Sequence, residues 1–212
     1  MNMTHQIFQL PVGPIQTNCY LVADEESKAA VLIDPGWDAP RLLGLLAERQ
    51  WQLKYVLLTH AHFDHIGAVA EVVKATQALL AIHPLELPLM RQRGGALAFG
   101  LNIQPCPEPE VLLGPDQVVE VGELHFTVLF VPGHTVGHVA FYEPTLKAVF
   151  SGDVLFQNGI GRVDLPGGDY AILMHSIHQV LLALPDETTV YSGHGPLTTI
   201  GAERRLNPFL AV

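Results

Sequence analysis

Apolar residues in this chain cluster into runs of strand length, separated by Gly, Pro and Asp turn signals. Runs at 7–12, 19–23 and 29–33 come first, and the third stops at Asp34-Pro35-Gly36. Asp38 then offers an N-cap, with Pro40 in the first turn and Leu42, Leu45 and Leu46 on one face, which predicts a helix. Positions 55–58 read as a short buried strand. Over 67–77, Val69, Val72 and Val73 recur at helical spacing. A strand at 79–82 and a helix at 84–93 follow, while 94–115, rich in Gly and Pro, reads as loop. The second half restarts with strands at 118–121, 125–131, 139–142 and 148–150. Asp169 caps a predicted helix whose Leu173, Ile177, Val180, Leu181 and Leu184 share a face and which stops before Pro185. A strand at 188–191 and a short helix near Ala202 complete the pattern. Each half runs strands first, then helix and strand. This order predicts an α/β sandwich of two mixed sheets covered by helices, built as a single domain over 1–212.

Four of these strands run into polar clusters. Val56-Leu57-Leu58-Thr59 leads into His60-Ala61-His62-Phe63-Asp64-His65, and Val128-Leu129-Phe130-Val131 leads into Pro132-Gly133-His134. Val149-Phe150-Ser151-Gly152 leads into Asp153, and Val190-Tyr191-Ser192-Gly193 into His194-Gly195. In α/β sheets, ligands gather beyond the carboxyl ends of strands, where loops carry polar groups out of the core. The neighbouring glycines allow the sharp turns and close approach that such loops need. Five imidazoles and two carboxylates are therefore candidates for one metal-binding centre. Histidine is also the compositional outlier: eleven of them, as many as Lys and Arg together.

Charge narrows the function further. With 11 Lys+Arg against 21 Asp+Glu, the net charge is -10, which argues against a nucleic-acid or anionic-membrane surface. The stretch 124–142 lacks charged side chains but carries three histidines and Pro132-Gly133, so it does not read as a bilayer span. The amino terminus lacks the basic flank and unbroken apolar run of a signal peptide. Two cysteines, Cys19 and Cys106, make no disulfide framework and are read as buried or loop thiols. A cytoplasmic location is expected.

The motif His60-x-His62-x-Asp64-His65, with Pro132-Gly133-His134, Ser151-Gly152-Asp153 and Gly193-His194-Gly195, resembles the metallo-β-lactamase superfamily. Gly152-Asp153-Val154-Leu155-Phe156, Ile160-Gly161-Arg162 and Asp164-Leu165-Pro166-Gly167-Gly168-Asp169 are similar to the hydroxyacylglutathione hydrolases, or type II glyoxalases. The resemblance spans nearly the whole chain and implies an αββα sandwich. It also implies a ligand set: His60, His62 and His134 on one metal, Asp64, His65 and His194 on a second, and Asp153 bridging. Asp64 and Asp153 are then the carboxylates on which catalysis depends. Two divalent ions are expected, zinc first, with iron or manganese as alternatives, because imidazole and carboxylate suit all three. Position 62 is His where superfamily members that reduce oxygen at two irons typically carry Glu. The longer glyoxalases carry a helical carboxyl-terminal domain, and with 18 residues after His194 (212 minus 194) no such separate domain is expected here.

Such a metal pair suits hydrolysis of an activated ester or thioester by a metal-bridging hydroxide, and the resemblance to the hydroxyacylglutathione hydrolases implies the thioester. A leaving thiolate, of free pKa about 8.5, needs no strong general acid. The expected partner is a small thioester, S-lactoylglutathione or a related hydroxyacylglutathione. Arg162 matches a basic position the glyoxalases use near substrate, and Arg204 and Arg205 could reach the site from the tail. All three could instead be surface charges, Arg162 paired with Asp164 or Asp169. Asp34 is either an acceptor that orients a ligand imidazole or a plain turn former before Pro35. His138, which follows the His134 loop, either hydrogen-bonds near the site or is structural, the latter favoured. His175 and His178 are read as helix-surface residues, and His5, His83 and His125 as structural. The competing activities are a mononuclear-iron persulfide dioxygenase and a lactonase of the same superfamily. A tRNA-processing nuclease is disfavoured by the acidic balance, and a non-catalytic metal-binding module by the complete ligand set.

Overall fold

The apolar run 19–23 lies in a strand buried along its whole length, beside a more mixed and less buried strand over 5–12. A computed structural model describes residues 5–210. Strand β1 (His5–Val12) pairs antiparallel with β2 (Thr17–Asp24), from His5 opposite Asp24 to Val12 opposite Thr17. All eight β2 residues and all five of β3 (Ala29–Ile33) are buried, as expected of strands covered on both faces. The chain forms two compact units. One takes the chain up to Leu113 with Glu120–Leu124, and the other takes Gly114–Val119 and the chain from His125 on.

In the first unit, β4 (Gln52–Leu57), β5 (Leu79–Ile82) and β6 (Val111–Leu112) extend a six-stranded sheet in the order β1-β2-β3-β4-β5-β6. From β3 onward the pairings are parallel, and parallel neighbours need crossover connections. Helices α1 (Ala39–Arg49) and α3 (Val69–Thr76) supply them, with the one-turn α2 (Phe63–Ile66) between. Leu42 and Leu46 of α1 and Val69, Val72 and Val73 of α3 share a core with Leu21, Leu32, Val56 and Leu80. Each such side chain, fully buried, contributes roughly 1.5–3 kcal/mol.

The second sheet runs β14-β13-β10-β9-β8-β7. Its strands are β7 (Val118–Val121), β8 (Leu124–Phe130), β9 (Val139–Glu143), β10 (Ala148–Gly152), β13 (Thr189–Ser192) and β14 (Thr198–Thr199). A small hairpin, β11 (Leu155–Phe156) and β12 (Gly159–Ile160), lies outside it. Helix α5 (Tyr170–Gln179) packs Leu173 and Ile177 against Val131, Ala140, Val149 and Val190, and α6 (Ile200–Leu206) adds Ile200 to that core.

Several expected elements are corrected. Asp38 stands at the N-cap of α1, but at φ 59° its side chain makes no cap bond; its Oδ2 accepts from Gly13 N at 3.0 Å. Asp169 does cap α5, accepting from Ile172 N at 2.9 Å. That helix stops at Gln179, and Leu181–Ala183 form a separate 3₁₀ turn, so Leu184 is not on it. The helix expected over 84–93 is a 3₁₀ turn (Pro84–Glu86) followed by α4 (Leu87–Arg91), because Pro88 lacks the N–H a continuous helix would use. The region read as loop holds a 3₁₀ segment (Arg93–Phe99) and β6. The β11–β12 hairpin lies beyond the reach of hydrophobic patterning, since two residues per strand carry no detectable period.

Candidate metal centre

In the first unit three parallel strands finish on one edge of the sheet. Asp34 follows β3 and donates its N–H to the Leu57 carbonyl at 3.0 Å, which seats it beside the end of β4. Its two carboxylate oxygens are fully used: Oδ1 accepts from Thr59 N at 2.8 Å, and Oδ2 from Thr59 Oγ1 at 2.6 Å. Oδ2 also lies 3.0 Å from His65 Nδ1. After β5, the buried Glu86 accepts from Ala61 N at 2.8 Å, pinning the loop between His60 and His62. The next turn, α2, then carries Asp64 and His65.

The ligand candidates of this unit lie close together. His60 stands 4.8 Å from His62 and 4.2 Å from His65 between ring centroids. His60 Nδ1 is 3.0 Å from Thr59 Oγ1. Asp64 Oδ2 accepts from Thr17 Oγ1 at 2.9 Å and lies 3.3 Å from His65 Nε2. Asp34, His60 and His65 offer ligand atoms within 4.8 Å of one another, but Asp34 already serves Thr59 and His65. Gly36 is required here, since a Cβ would stand 1.6 Å from the Asp64 carbonyl oxygen.

In the second unit β10 and β13 are parallel neighbours, with Gly152 opposite Ser192 after a bulge at Ser151. Gly193 N donates to Gly152 O at 2.8 Å, so the next residues, Asp153 and His194, leave the sheet together. Strand β9 pairs antiparallel with both β8 and β10, so β8 delivers His134 at the same edge. Asp153 Oδ2 lies 3.7 Å from His134 Nε2 and 3.5 Å from His194 Nε2. His134 Nδ1 is 2.8 Å from the Arg162 carbonyl oxygen. Asp153 N donates to His138 Nε2 at 3.1 Å. Of its two readings, His138 takes the less favoured one: it holds the backbone of Asp153 by a hydrogen bond beside the site.

The arginines behave differently. Arg162 grips Asp164 with both Nε (2.7 Å) and Nη2 (2.6 Å), and this fork holds the Asp164 carboxyl down to about 2. Arg204 and Arg205 both pair with Asp186. The structure therefore joins Arg162 to the site through its carbonyl, while its guanidinium serves a neighbouring acid. His175 is exposed and His178 half-buried on α5. His83 accepts from Leu85 N at the end of β5, and burial lowers its pKa. Thr59, Glu86 and His138 are the supporting residues that sequence reasoning missed or undervalued. Thr59 was detectable, being adjacent to His60; Glu86 was not, since its partner is 25 positions away.

Neither cysteine is poised for chemistry. Burial pushes the Cys19 thiol well up, and burial pushes Cys106 up to about 12. Almost no thiolate exists at pH 8, and the thiolate is the reactive form. The folded protein should therefore take up no iodoacetamide at pH 8, and two equivalents once unfolded in guanidinium. Labelling of either thiol at the rate of a free cysteine would show that it is not enclosed.

Donor chemistry tests whether metal ions suit these residues. His65 and His134 each commit Nδ1 to an acceptor and present Nε2 to a carboxylate, the arrangement that supports a ligand imidazole. The three Nε2 to carboxylate separations are 3.3, 3.5 and 3.7 Å, longer than the usual hydrogen bond. Two ligand atoms each about 2.0–2.1 Å from one tetrahedral ion stand about 3.3–3.4 Å apart. The spacing suits groups sharing a cation better than groups sharing a proton, and the set fits a binuclear site.

Comparison with known proteins agrees. The sequence profile of the Metallo-beta-lactamase superfamily matches residues 12–194. The hydroxyacylglutathione hydrolase GloC of Haemophilus influenzae is 41% identical over 209 residues, 95% of this chain and 96% of that protein. Among solved structures, the B3 metallo-beta-lactamase BLEG-1 aligns with a TM-score of 0.93 and 43% identity, over 98% of this chain and 100% of the other. TTHA1623, solved in a di-iron-bound form, gives 0.88 and 48%, over 96% and 100%. ETHE1 from Myxococcus xanthus gives 0.80 and 34%, over 96% and 83%. The matched segment contains all seven candidate ligands, and two mixed β-sheets with helices carry them, so this chain belongs to the metallo-β-lactamase superfamily.

Proposed function

We propose that this chain is a metal-dependent thioester hydrolase acting on S-lactoylglutathione or a related hydroxyacylglutathione. The observation that carries the reading is one carboxylate oxygen, Asp153 Oδ2, lying 3.5 and 3.7 Å from the Nε2 atoms of two imidazoles. Similarity to the Haemophilus hydroxyacylglutathione hydrolase supports the substrate class. On this reading His60, His62 and His134 would hold one ion, Asp64, His65 and His194 would hold the other, and Asp153 would serve both. The single-domain reading over 1–212 belongs to the same proposal, because the family profile runs through both units. Zinc remains the first expectation, and the di-iron form of TTHA1623 makes iron a direct alternative.

When bound, a metal pair supplies a hydroxide at neutral pH and polarises the carbonyl under attack. The chain's own residues do the rest. Asp34 fixes the His65 ring, the Arg162 carbonyl fixes His134, and His138 holds Asp153 by its N–H. Asp64 and Asp153 set the charge of the centre. No side chain need protonate the leaving group, because a thiolate departs on its own at neutral pH. Arg162 Nη1, which Asp164 does not engage, can receive a glutathione carboxylate; Arg204 and Arg205 would have to leave Asp186 to do so. The partner is a small molecule, neither nucleic acid nor membrane, and no helix among the described residues is long and apolar enough to cross a bilayer. A reducing cytoplasm suits the two free cysteines.

A second reading, a mononuclear-iron persulfide dioxygenase, is supported by the likeness to ETHE1. One experiment separates them. Protein reconstituted with Zn, Mn or Fe is analysed for metal and assayed on S-lactoylglutathione, a small uncharged thioester, a lactone, and glutathione persulfide with oxygen monitored. Close to two metals per chain, with turnover of the glutathione thioester, is the expected result. One iron per chain with oxygen uptake would replace the proposal by the dioxygenase, and turnover of the lactone alone would make the protein a lactonase.

A further inference from the structure

The β11–β12 hairpin connects the two stems of the second unit's ligand cluster. Its first stem is Asp153. Its second stem is Gly161-Arg162, whose Arg162 carbonyl holds His134. The stems are tied to each other, since Gly161 N donates to Val154 O at 3.1 Å and a Cβ on Gly161 would stand 2.0 Å from the Asp153 carbonyl oxygen. A shift of the hairpin would therefore move both Asp153 and the acceptor that orients His134.

The tip of this hairpin is gripped by the chain's last helix. Asn158, at φ 55°, donates its N–H to Glu203 Oε2 at 2.8 Å. Asn207 Nδ2 donates to the Gly159 carbonyl at 3.0 Å and to the same Glu203 oxygen at 2.8 Å. The other oxygen, Glu203 Oε1, accepts from Thr198 Oγ1 at 2.5 Å. Glu203 and Asn207 are buried, at 1% and 2% exposure, although the neighbouring Arg204, Arg205 and Leu206 are exposed. A carboxylate is rarely buried unless its oxygens are satisfied. Here every partner of Glu203 lies on the hairpin, on Asn207 or on Thr198.

We infer that Glu203, with Asn207, is a positioning residue for the metal centre, locking the β11–β12 hairpin so that Asp153 and the Arg162 carbonyl stay in register. This rests on the hydrolase reading for the identity of the ligands. The requirement is for shape and hydrogen bonding rather than charge. A glutamine can accept from Asn158 and Asn207 through its oxygen and donate to Thr198 Oγ1 through its amide.

The test compares Glu203→Ala, Glu203→Gln and Leu206→Ala, the last an exposed residue of the same helix. Each is loaded with Co²⁺, and the visible absorption bands, Co²⁺ affinity by chelator competition, and kcat and KM are measured. Glu203→Ala should alter the Co²⁺ bands, weaken metal binding and lower kcat about tenfold, at the low end for residues that support metal ligands. KM should stay within about twofold, since the substrate contacts are untouched. Glu203→Gln should restore all of these, and Leu206→Ala should change none. If Glu203→Ala does not fold, Asn207→Ala, which leaves Glu203 its bonds to Asn158 and Thr198, should show the same spectral change to a smaller degree. Unchanged bands and kcat in Glu203→Ala, with only a lower Tm, would overturn the inference and leave the hydrolase reading standing. Failure of the parent protein to bind Co²⁺ would overturn both.

Discussion

Replacing Asp153 with alanine should sharply reduce turnover and deplete the metal centre together. Its Oδ2 lies 3.7 and 3.5 Å from His134 Nε2 and His194 Nε2, and the proposed function makes it the bridging anion. Losing roughly 4 kcal/mol of transition-state stabilisation is the scale expected when such an electrostatic group is removed. At 1.36 kcal/mol per decade that is about a thousandfold in kcat/KM. Metal content by elemental analysis should fall from the proposed two equivalents toward one or none. Asp153 stands at the exit of β10, outside the apolar core, so the metal-free variant should melt close to the metal-free parent. His175→Ala and His178→Ala, on the surface of α5, should leave metal and turnover nearly unchanged. Retention of both metals and of turnover within about tenfold in Asp153→Ala would refute the bridging assignment. Loss of metal in His175→Ala would refute the assignment of ligands to strand ends.

Asp34 should produce the second-largest effect without touching a metal itself. It is buried, and its oxygens accept from Thr59 N, Thr59 Oγ1 and His65 Nδ1. Removing a supporting partner of this kind costs about 10- to 100-fold in metal affinity. The loss in Asp34→Ala should lie near the upper figure, because one carboxylate serves both the His60 end and the His65 end of the motif. Stranding buried donors also costs about 1–3 kcal/mol each, so a Tm decrease of several degrees should accompany it. Asp34→Asn separates the two effects. Its oxygen can still accept from Thr59 N, which preserves most of the stability, but its amide cannot accept from His65 Nδ1, so metal affinity should fall nonetheless. Chelator competition on the two variants, with thermal melts of the metal-free forms, measures both. Equal metal affinity in Asp34→Asn and the parent would mean that Asp34 is only a turn residue.

Sequence by itself determined the strand ends and the residues placed there. Apolar runs mark strands because period and burial are local properties, and His60-x-His62-x-Asp64-His65 is contiguous, so the motif survives without knowledge of the fold. The same holds for Asp169, whose cap partner Ile172 is three residues away. Which polar groups support the candidate ligands depends on contacts between distant parts of the chain. Asp34 reaches His65 across 31 positions, Glu86 reaches Ala61 across 25, and Glu203 reaches Asn158 across 45. No pattern along the chain encodes such a pairing; it follows from which strands lie side by side. The fold also decided the partners of the tail cations. Arg162 pairs with Asp164, two residues on and legible in the sequence, whereas Arg204 and Arg205 meet Asp186, which the fold brings within reach. Opposite charges pair wherever the backbone puts them, and the backbone's path is not written in local composition.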